Sequence, residues 1–276
     1  TQDRGATWNS LKGGLPTIQV RDLAIQEREN DLVLATFGRG FYILDDYRAL
    51  RAASKETLDK EATLFPVRDA WTFIPSSPNG GREKASFGDR FFNAPNPPFG
   101  AVFTYYLKDE IKTLRKTRLD AEKEKQKKGD DTPYPSWEAL RAEDREQAPV
   151  ILLTVTDQDG NVVRRLTGPT TAGFTRVAWD LRYPAPEPTS LETKDIDPWD
   201  RLPFGPLAAP GRYTVTLAKH VGGVVTPLGA SQAFEAVPLG TASLPPADRK
   251  ALLAFEEKTA RLRRAVLGAV RAADEA

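Results

Sequence analysis

Chemistry in this chain would have to come from carboxylates, arginines, hydroxyls and aromatic rings. The sequence has no cysteine and one histidine, His220. Thiolate chemistry, disulfides and Cys-based zinc sites are therefore excluded. A multi-His metal site cannot form, and a Ser-His-Asp triad would have to use His220. That residue ends a β-rich run just before Val-Gly-Gly, where a surface histidine at a hairpin is the simpler account. The N-terminal stretch TQDRGATW brings an acid, two hydroxyls and an indole close together. Its spacing suits a tight turn. Thr1 and Asp3 can hydrogen-bond turn amides, Gly5 can take positive φ, and Trp8 can pack beneath the loop. Asp3 is then a structural acid rather than a general acid.

The other acids admit structural readings as well. Asp22, Asp45 and Asp46 flank predicted strands, whereas a glycosidase needs two carboxylates roughly 5–10 Å apart across a sugar. Sequence spacing places no pair at that distance. Arg39, in Gly38-Arg39-Gly40, offers a cation to an anionic ligand, and the same three residues also describe a hairpin tip. Asp157-Gln-Asp159-Gly160-Asn161 resembles part of a calcium loop but lacks the later Glu, so a hairpin turn explains it better. Asp195, Asp197 and Asp200 make a second acidic cluster with no fixed ligand spacing. No metal and no cofactor is assigned. Among the aromatics, Trp71, Phe73, Phe87, Phe91, Phe92, Phe99, Phe103, Tyr105, Tyr106, Tyr134, Trp137, Trp179 and Tyr183 gather around a linker and a β-rich region. They suit either a stacking surface for sugar or peptide or a domain interface. Arg39 and Trp71 are the two residues carried forward as ligand contacts.

The elements that must hold these residues are mainly strands. Residues 17–46 read as strands, with Gly-Arg-Gly between two β-rich runs as a hairpin signal. A short helix follows in YRALRAA, then one or two short extended segments in ATLFPVRDAWTFIP. Residues 75–99 are dense in Gly, Pro, Asn and Ser and form a linker. GAVFTYYL is a strand. Residues 108–147 form a helical insertion, with Lys116–Asp120 and Glu124–Lys128 as expected i,i+4 pairs and Ser136 as an N-cap. Strands resume at VILLTVTD and continue through VVRRLTG, FTRVAWDLRYP, GRYTVTLAKH and ASQAFEAVPL. Residues 241–276 read as a helix, and Leu252, Phe255, Thr259, Leu262, Val266 and Ala269 fall on one apolar stripe.

Two resemblances attach to these residues. Thr1-x-Asp3-x-Gly5-x-Thr7-Trp8 matches the Asp-box pattern. Together with LVLATFGRGFYILDD, it makes residues 1–74 resemble the C-terminal blade region of an Asp-box (BNR-type) β-propeller. That repeat class occurs in sialidases, xyloglucan-cleaving glycosidases and sortilin-like receptors. In it the box is a structural clasp on a blade's outer turn. ILLTVTDQDGNVVRRLTGPTTAGFTRVAWDLRYP, followed by PGRYTVTL, is similar to the Ig-like β-sandwich of flagellar hook-capping proteins. The resemblances imply a mainly β chain: a propeller remnant, a linker at 75–99, an Ig-like sandwich at 100–240 with the helical insertion, and a C-terminal amphipathic helix. They imply the C-terminal part of a longer exported bacterial protein, sortilin-like or glycosyl-hydrolase-like, with upstream propeller blades as its first partner. The chain itself is expected to be non-catalytic, a ligand-binding or scaffold module for peptide or glycan. The alternative is the accessory end of a glycoside hydrolase whose acids lie upstream. An incomplete propeller would leave strand edges unpaired.

Bulk composition agrees with a folded chain. The sequence has 276 residues, 40% hydrophobic and 28% charged, a globular balance. Its 39 Lys and Arg against 38 Asp and Glu give a net charge of +1, so no global attraction to nucleic acid is expected. No apolar run approaches the roughly 18 residues of a membrane span. Helix-mediated self-association through the terminal stripe is the remaining partner expected.

Overall fold

Alternate residues of GAVFTYYL are apolar, and that period-two pattern is what a strand with one covered face requires. The computed structural model describes residues 5–6, 8, 14–73, 94–189, 197, 203–240 and 245–275. In it the segment forms β6 (Ala101–Leu107), with Ala101, Phe103, Tyr105 and Leu107 turned inward and buried. Its neighbours are β4 (Ala62–Leu64) and β9 (Gly173–Trp179), both antiparallel, in a three-stranded sheet ordered β4-β6-β9. A second sheet is ordered β5-β12-β10-β7-β8. Its strands are β5 (Ala70–Thr72), β7 (Val150–Thr156), β8 (Val162–Gly168), β10 (Gly211–Val221) and β12 (Gln232–Pro238). β11 (Val224–Pro227) folds back on β10 around Gly222 and Gly223, at φ 56° and 81°. The two sheets share one core, to which Ile151, Leu153, Val155, Val215, Leu217 and Phe234 contribute from the second sheet.

Trp179 sits at the centre of that core and is fully buried. Its ring meets Tyr213 edge-on at 5.4 Å and Phe234 at 6.2 Å, while its indole N–H donates to the Arg182 carbonyl at 2.9 Å. A buried Trp needs such a partner. Room for this arrangement comes from Gly100, at φ 102°, where an added Cβ would lie 2.0 Å from the Trp179 carbonyl oxygen.

The N-terminal sheet is separate. β1 (Val20–Gln26), β2 (Asp31–Thr36) and β3 (Phe41–Leu44) form an antiparallel meander. The Gly-Arg-Gly hairpin forms as predicted, with Gly38 and Gly40 at φ 76° and 73° and the Thr36 hydroxyl donating to the Gly40 carbonyl at 2.7 Å. Two short helices follow, α1 (Arg48–Ala52) and α2 (Lys55–Asp59). The second has only a local signal, the reciprocal Ser54–Thr57 capping box, and sequence periodicity over five residues does not reveal it.

The linker-based boundary divides the chain differently from the hydrogen bonding. β4 and β5 precede the linker, yet β4 pairs with β6 and β5 pairs in parallel with β12. Residues 62–72 therefore belong to the two-sheet body and not to the N-terminal meander. Burial explains the choice: Ala62, Leu64 and Ala70 find apolar partners only in that core.

The insertion forms α3 (Leu114–Lys128) and α4 (Trp137–Arg145), and Ser136 caps α4 by accepting from the Ala139 N–H. The expected ion pairs within α3 are replaced by others. Lys116 binds Glu110 at 2.5 Å, Lys112 binds Asp120 at 2.6 Å and Glu124 binds Lys127 at 2.6 Å. The lead-in before α3 offers carboxylate and ammonium groups as close as those one turn away. Arg118 joins the two helices, donating to both oxygens of Glu143 at 2.6 and 2.9 Å. The last element is α5 (Pro246–Asp274), one long helix as the stripe predicted.

Gly100→Ala combines a positive φ with a clash against backbone. It is expected to cost on the order of 2–3 kcal/mol of stability, read as a lowered urea midpoint. An unchanged midpoint would mean that the β6 entry is not constrained as described.

Candidate functional site

The β1–β2 turn carries Glu29, and this carboxylate ties the meander to the two-sheet body. It accepts from Arg28 at 2.9 Å, from Arg68 at 2.8 Å and from the Trp71 indole N–H at 3.3 Å. At the other edge of the same seam lies Asp46. Both its oxygens bind the Arg48 guanidinium, at 2.7 and 2.9 Å. Its carbonyl accepts from Arg176 of β9 at 2.7 Å, and its N–H donates to Asp31 at 2.9 Å. The residue is held at φ 43°, which a short acidic side chain tolerates. Burial pushes the Asp46 carboxyl up, but the hydrogen bonds and charge of Arg48 outweigh it and hold the pKa below the ordinary aspartate value. Asp45 goes the other way: burial and then the charge of Asp31 raise it, against Arg176 and Arg68. Neighbouring acids with opposed shifts arise here from a structural seam, as ion-pair networks also produce them.

The two residues predicted to contact ligand are not brought together. Trp71 is half-buried at the Glu29 end of the meander. Arg39 is exposed at the Gly-Arg-Gly tip, across the length of β2, a six-residue strand of about 20 Å. Asp22 accepts from the N–H of Leu23 at 2.8 Å. Of the Asp-box residues, Thr1, Asp3 and Thr7 lie outside the described residues. Gly5 takes φ 97°, as the turn requires. Trp8 departs from the expected burial beneath its loop: it is 79% exposed, and its N–H donates to the Gly5 carbonyl at 3.1 Å. That bond closes the turn locally, whereas burying an indole needs an apolar surface against it.

Asp157 is consumed by its own turn. Its carboxylate accepts from the N–H groups of Asp159 and Asn161 at 3.0 and 2.8 Å and from the Asn161 amide at 3.1 Å. In the second acidic cluster Asp195 and Asp200 lie outside the described residues. Among the described residues no group of three acids or histidines is placed to hold a metal ion. His220 sits near the end of β10, opposite Val225 across the β10–β11 hairpin.

Apart from Trp71 in the seam, Tyr106 against Phe174 and Tyr183 after β9, the described aromatic residues separate into three places. Phe103, Tyr105 and Trp179 are core. Phe73 and Phe99 meet edge-on at 5.0 Å beside it, while Phe87, Phe91 and Phe92 lie outside the described residues. Tyr134 and Trp137 are exposed on the helical insertion. Periodicity could not have separated these groups, because all have the same residue types.

One open cavity was not anticipated. It measures about 330 Å³ and lies where the Asp157 turn, the start of β10 and α5 converge. Tyr183, Tyr213, Arg212, Lys250 and Leu253 contribute to its lining. The Tyr183 phenol is pushed up to about 12, by burial first and then by Glu257 and Asp157. Aromatic faces with charges of both signs suit a small polar ligand held by stacking. The sequence marked its pieces separately, the Asp157 turn, Tyr183 among the aromatics and the Pro-Gly-Arg-Tyr run at 210–213 as a strand start, with nothing to join them. Comparison of the chain with family models, with curated proteins and with solved structures finds no match. Functional assignment therefore rests on the geometry itself.

The seam makes a signed prediction. A carboxyl held below its unfolded pKa contributes stability above that value and loses it as pH falls through the folded one. Asp46→Asn should lower stability at pH 7 by roughly 1 kcal/mol, with the difference from the parent shrinking below about pH 4. Asp45 is raised, so Asp45→Asn should shift stability at pH 7 in the opposite direction. Urea midpoints at pH 7 and pH 3 decide this, and equal losses for Asp46→Asn at both would contradict the ion-pair account.

Proposed function

We propose that the chain is a binding and scaffold part of an Asp-box propeller protein, with residues 20–44 serving as a propeller blade and the two-sheet body as its Ig-like support. The observation that carries this reading is the composition of the meander. Partner residues in an antiparallel sheet share a face. Leu23, Ile25, Leu32, Leu34, Tyr42 and Leu44 fall on one face; on the other, Ala24, Val33, Ala35, Phe41 and Ile43 form an apolar centre with Asp22, Gln26 and Asp31 at its ends. A sheet that covers one core alternates apolar with polar; one that is apolar on both faces is built to lie between two layers. Yet Leu23 and Ile25 on one side, and Phe41 and Ile43 on the other, stand 51–75% exposed. Stacked blades would cover both.

In this reading the protein is exported, and the peptide or glycan ligand is met by the whole assembly, with the cavity beside Tyr183 as this chain's own contribution. The accessory-end-of-a-hydrolase alternative has no separate observation in its favour: Asp22 and Asp46 are spent on a local amide and on Arg48.

Amide hydrogen exchange tests the blade reading. In the 276-residue chain, the amides of residues 20–44 should exchange at least about a hundredfold faster than those of β6 and β10, since their sheet closes no core. In a longer product of the same gene they should become as slow. Equal protection in the short chain, or none gained in the longer one, rules the reading out. For the cavity, calorimetric titration with a neutral xylo-oligosaccharide and with a mixed-charge hexapeptide should give saturable heat with one of them, lost in Lys250→Ala; silence from both removes the ligand assignment.

A further inference from the structure

The long terminal helix docks on the two-sheet body by its less apolar side. Arg263 binds Glu187 at 2.9 Å, Arg264 donates to the Ala185 carbonyl at 3.1 Å, and Leu253 turns toward the cavity beside Tyr183. On the opposite side Leu252, Phe255, Leu262, Val266 and Val270 are 43–66% exposed. Leu252, Phe255, Thr259, Leu262, Val266 and Ala269 repeat at alternating spacings of three and four. That is the seam of a coiled coil, with the inner positions of each heptad apolar.

We propose that this face pairs with the same face of a second copy, antiparallel, about a twofold axis passing between residues 260 and 261. The charges beside the seam select both the occupant and its direction. Glu256 and Arg263 flank the seam on one side, and Lys258 flanks it on the other. In a parallel pair each Lys258 would lie against Arg263 of the other copy, two like-charge contacts. In the antiparallel pair the side bearing Glu256 faces itself, and each Glu256 meets Arg263 of the other copy, whose side chain stays 58% exposed beside its bond to Glu187 and has further N–H donors to give. Flanking charges of this kind set partner and orientation in coiled coils. Side-chain volumes agree: antiparallel pairing sets Leu252 against Ala269, Phe255 against Val266 and Thr259 against Leu262, one larger side chain with one smaller in every layer. Parallel pairing would stack Phe255 on Phe255 and Ala269 on Ala269. The contact runs about 26 Å along the helix at 1.5 Å per residue, and the surface is isologous, as a twofold dimer requires. This inference rests on the helix alone and stands apart from the blade proposal.

The absence of cysteine makes the register directly readable. The full chain is expected to show the mass of two chains by light scattering at high concentration. Phe255→Glu and Leu262→Glu should each return it to one, with the circular dichroism of the rest unchanged. Leu252→Cys chains mixed with Ala269→Cys chains should form a disulfide-linked pair, while Leu252→Cys alone should not. A single-chain mass at all concentrations overturns the proposal. So does a dimer that survives both glutamates, which would place the contact elsewhere, or a Leu252→Cys homodimer, which would make the pair parallel. In a Glu187→Gln background, which removes the own-chain carboxylate from Arg263, Glu256→Arg with Arg263→Glu in the same chain should keep the dimer, and Glu256→Arg alone should weaken it by at least tenfold in dissociation constant; equal loss in both rules out the charge pairing.

Discussion

Everything in the two-sheet body depends on enclosing one indole. Trp179 has no exposed surface, and its N–H must still find an acceptor. The Arg182 carbonyl can reach back to supply it because Leu181 takes φ 54°, and the chain at Gly100 can pass within contact distance because that residue has no Cβ. Tyr213 and Phe234 close the ring's edges from the opposing sheet. Strands from widely separated parts of the sequence are thus registered against one side chain. Burying the indole with the rings and aliphatic side chains around it removes apolar surface from water and so favours the folded body.

The meander obeys the same rule with the opposite outcome. Its strands are as apolar as those of the body, and the hairpin turns are well made. Among the described residues no second layer covers it. The charged seam around Glu29 and Asp46 holds it to the body by hydrogen bonds and ion pairs rather than by a shared core. Polar contacts give orientation but bury little apolar surface, so Leu23, Ile25, Phe41 and Ile43 stay in water. The terminal helix repeats the pattern: it docks by arginines on carbonyls and a carboxylate, and leaves its apolar stripe outward. Both elements held to the body by charge thus carry rows of exposed apolar side chains.

Legibility in the sequence followed interaction range. The Gly38–Gly40 turn, the Ser136 cap, the Asp157 turn and the 29-residue helix α5 each depend on neighbours a few residues away, and each was readable. The pairing of β4 and β5 was not, because both lie before a long linker while their partners lie after it. The ion pairs of α3 differ from the i,i+4 expectation for a related reason: that spacing is only one of several routes to a counter-charge once the chain folds back. The cavity beside Tyr183 was invisible, since its walls come from four separate segments that only the folded chain brings together.

By itself the sequence determined the chemistry and the local geometry: which residues could be ligands, where strands and helices form, and which turns need glycine. These follow from side-chain identity and from contacts within a few residues. Tertiary structure alone decided which apolar faces were covered and which acids were free. It set Trp71 on Glu29 rather than beside Arg39, seated Arg176 on the Asp46 carbonyl, and left Leu23, Ile25, Phe41 and Ile43 of the meander and the outer stripe of α5 exposed. Burial and ion pairing are properties of partners distant in sequence, and one period of strand or helix carries no record of which partner it will meet.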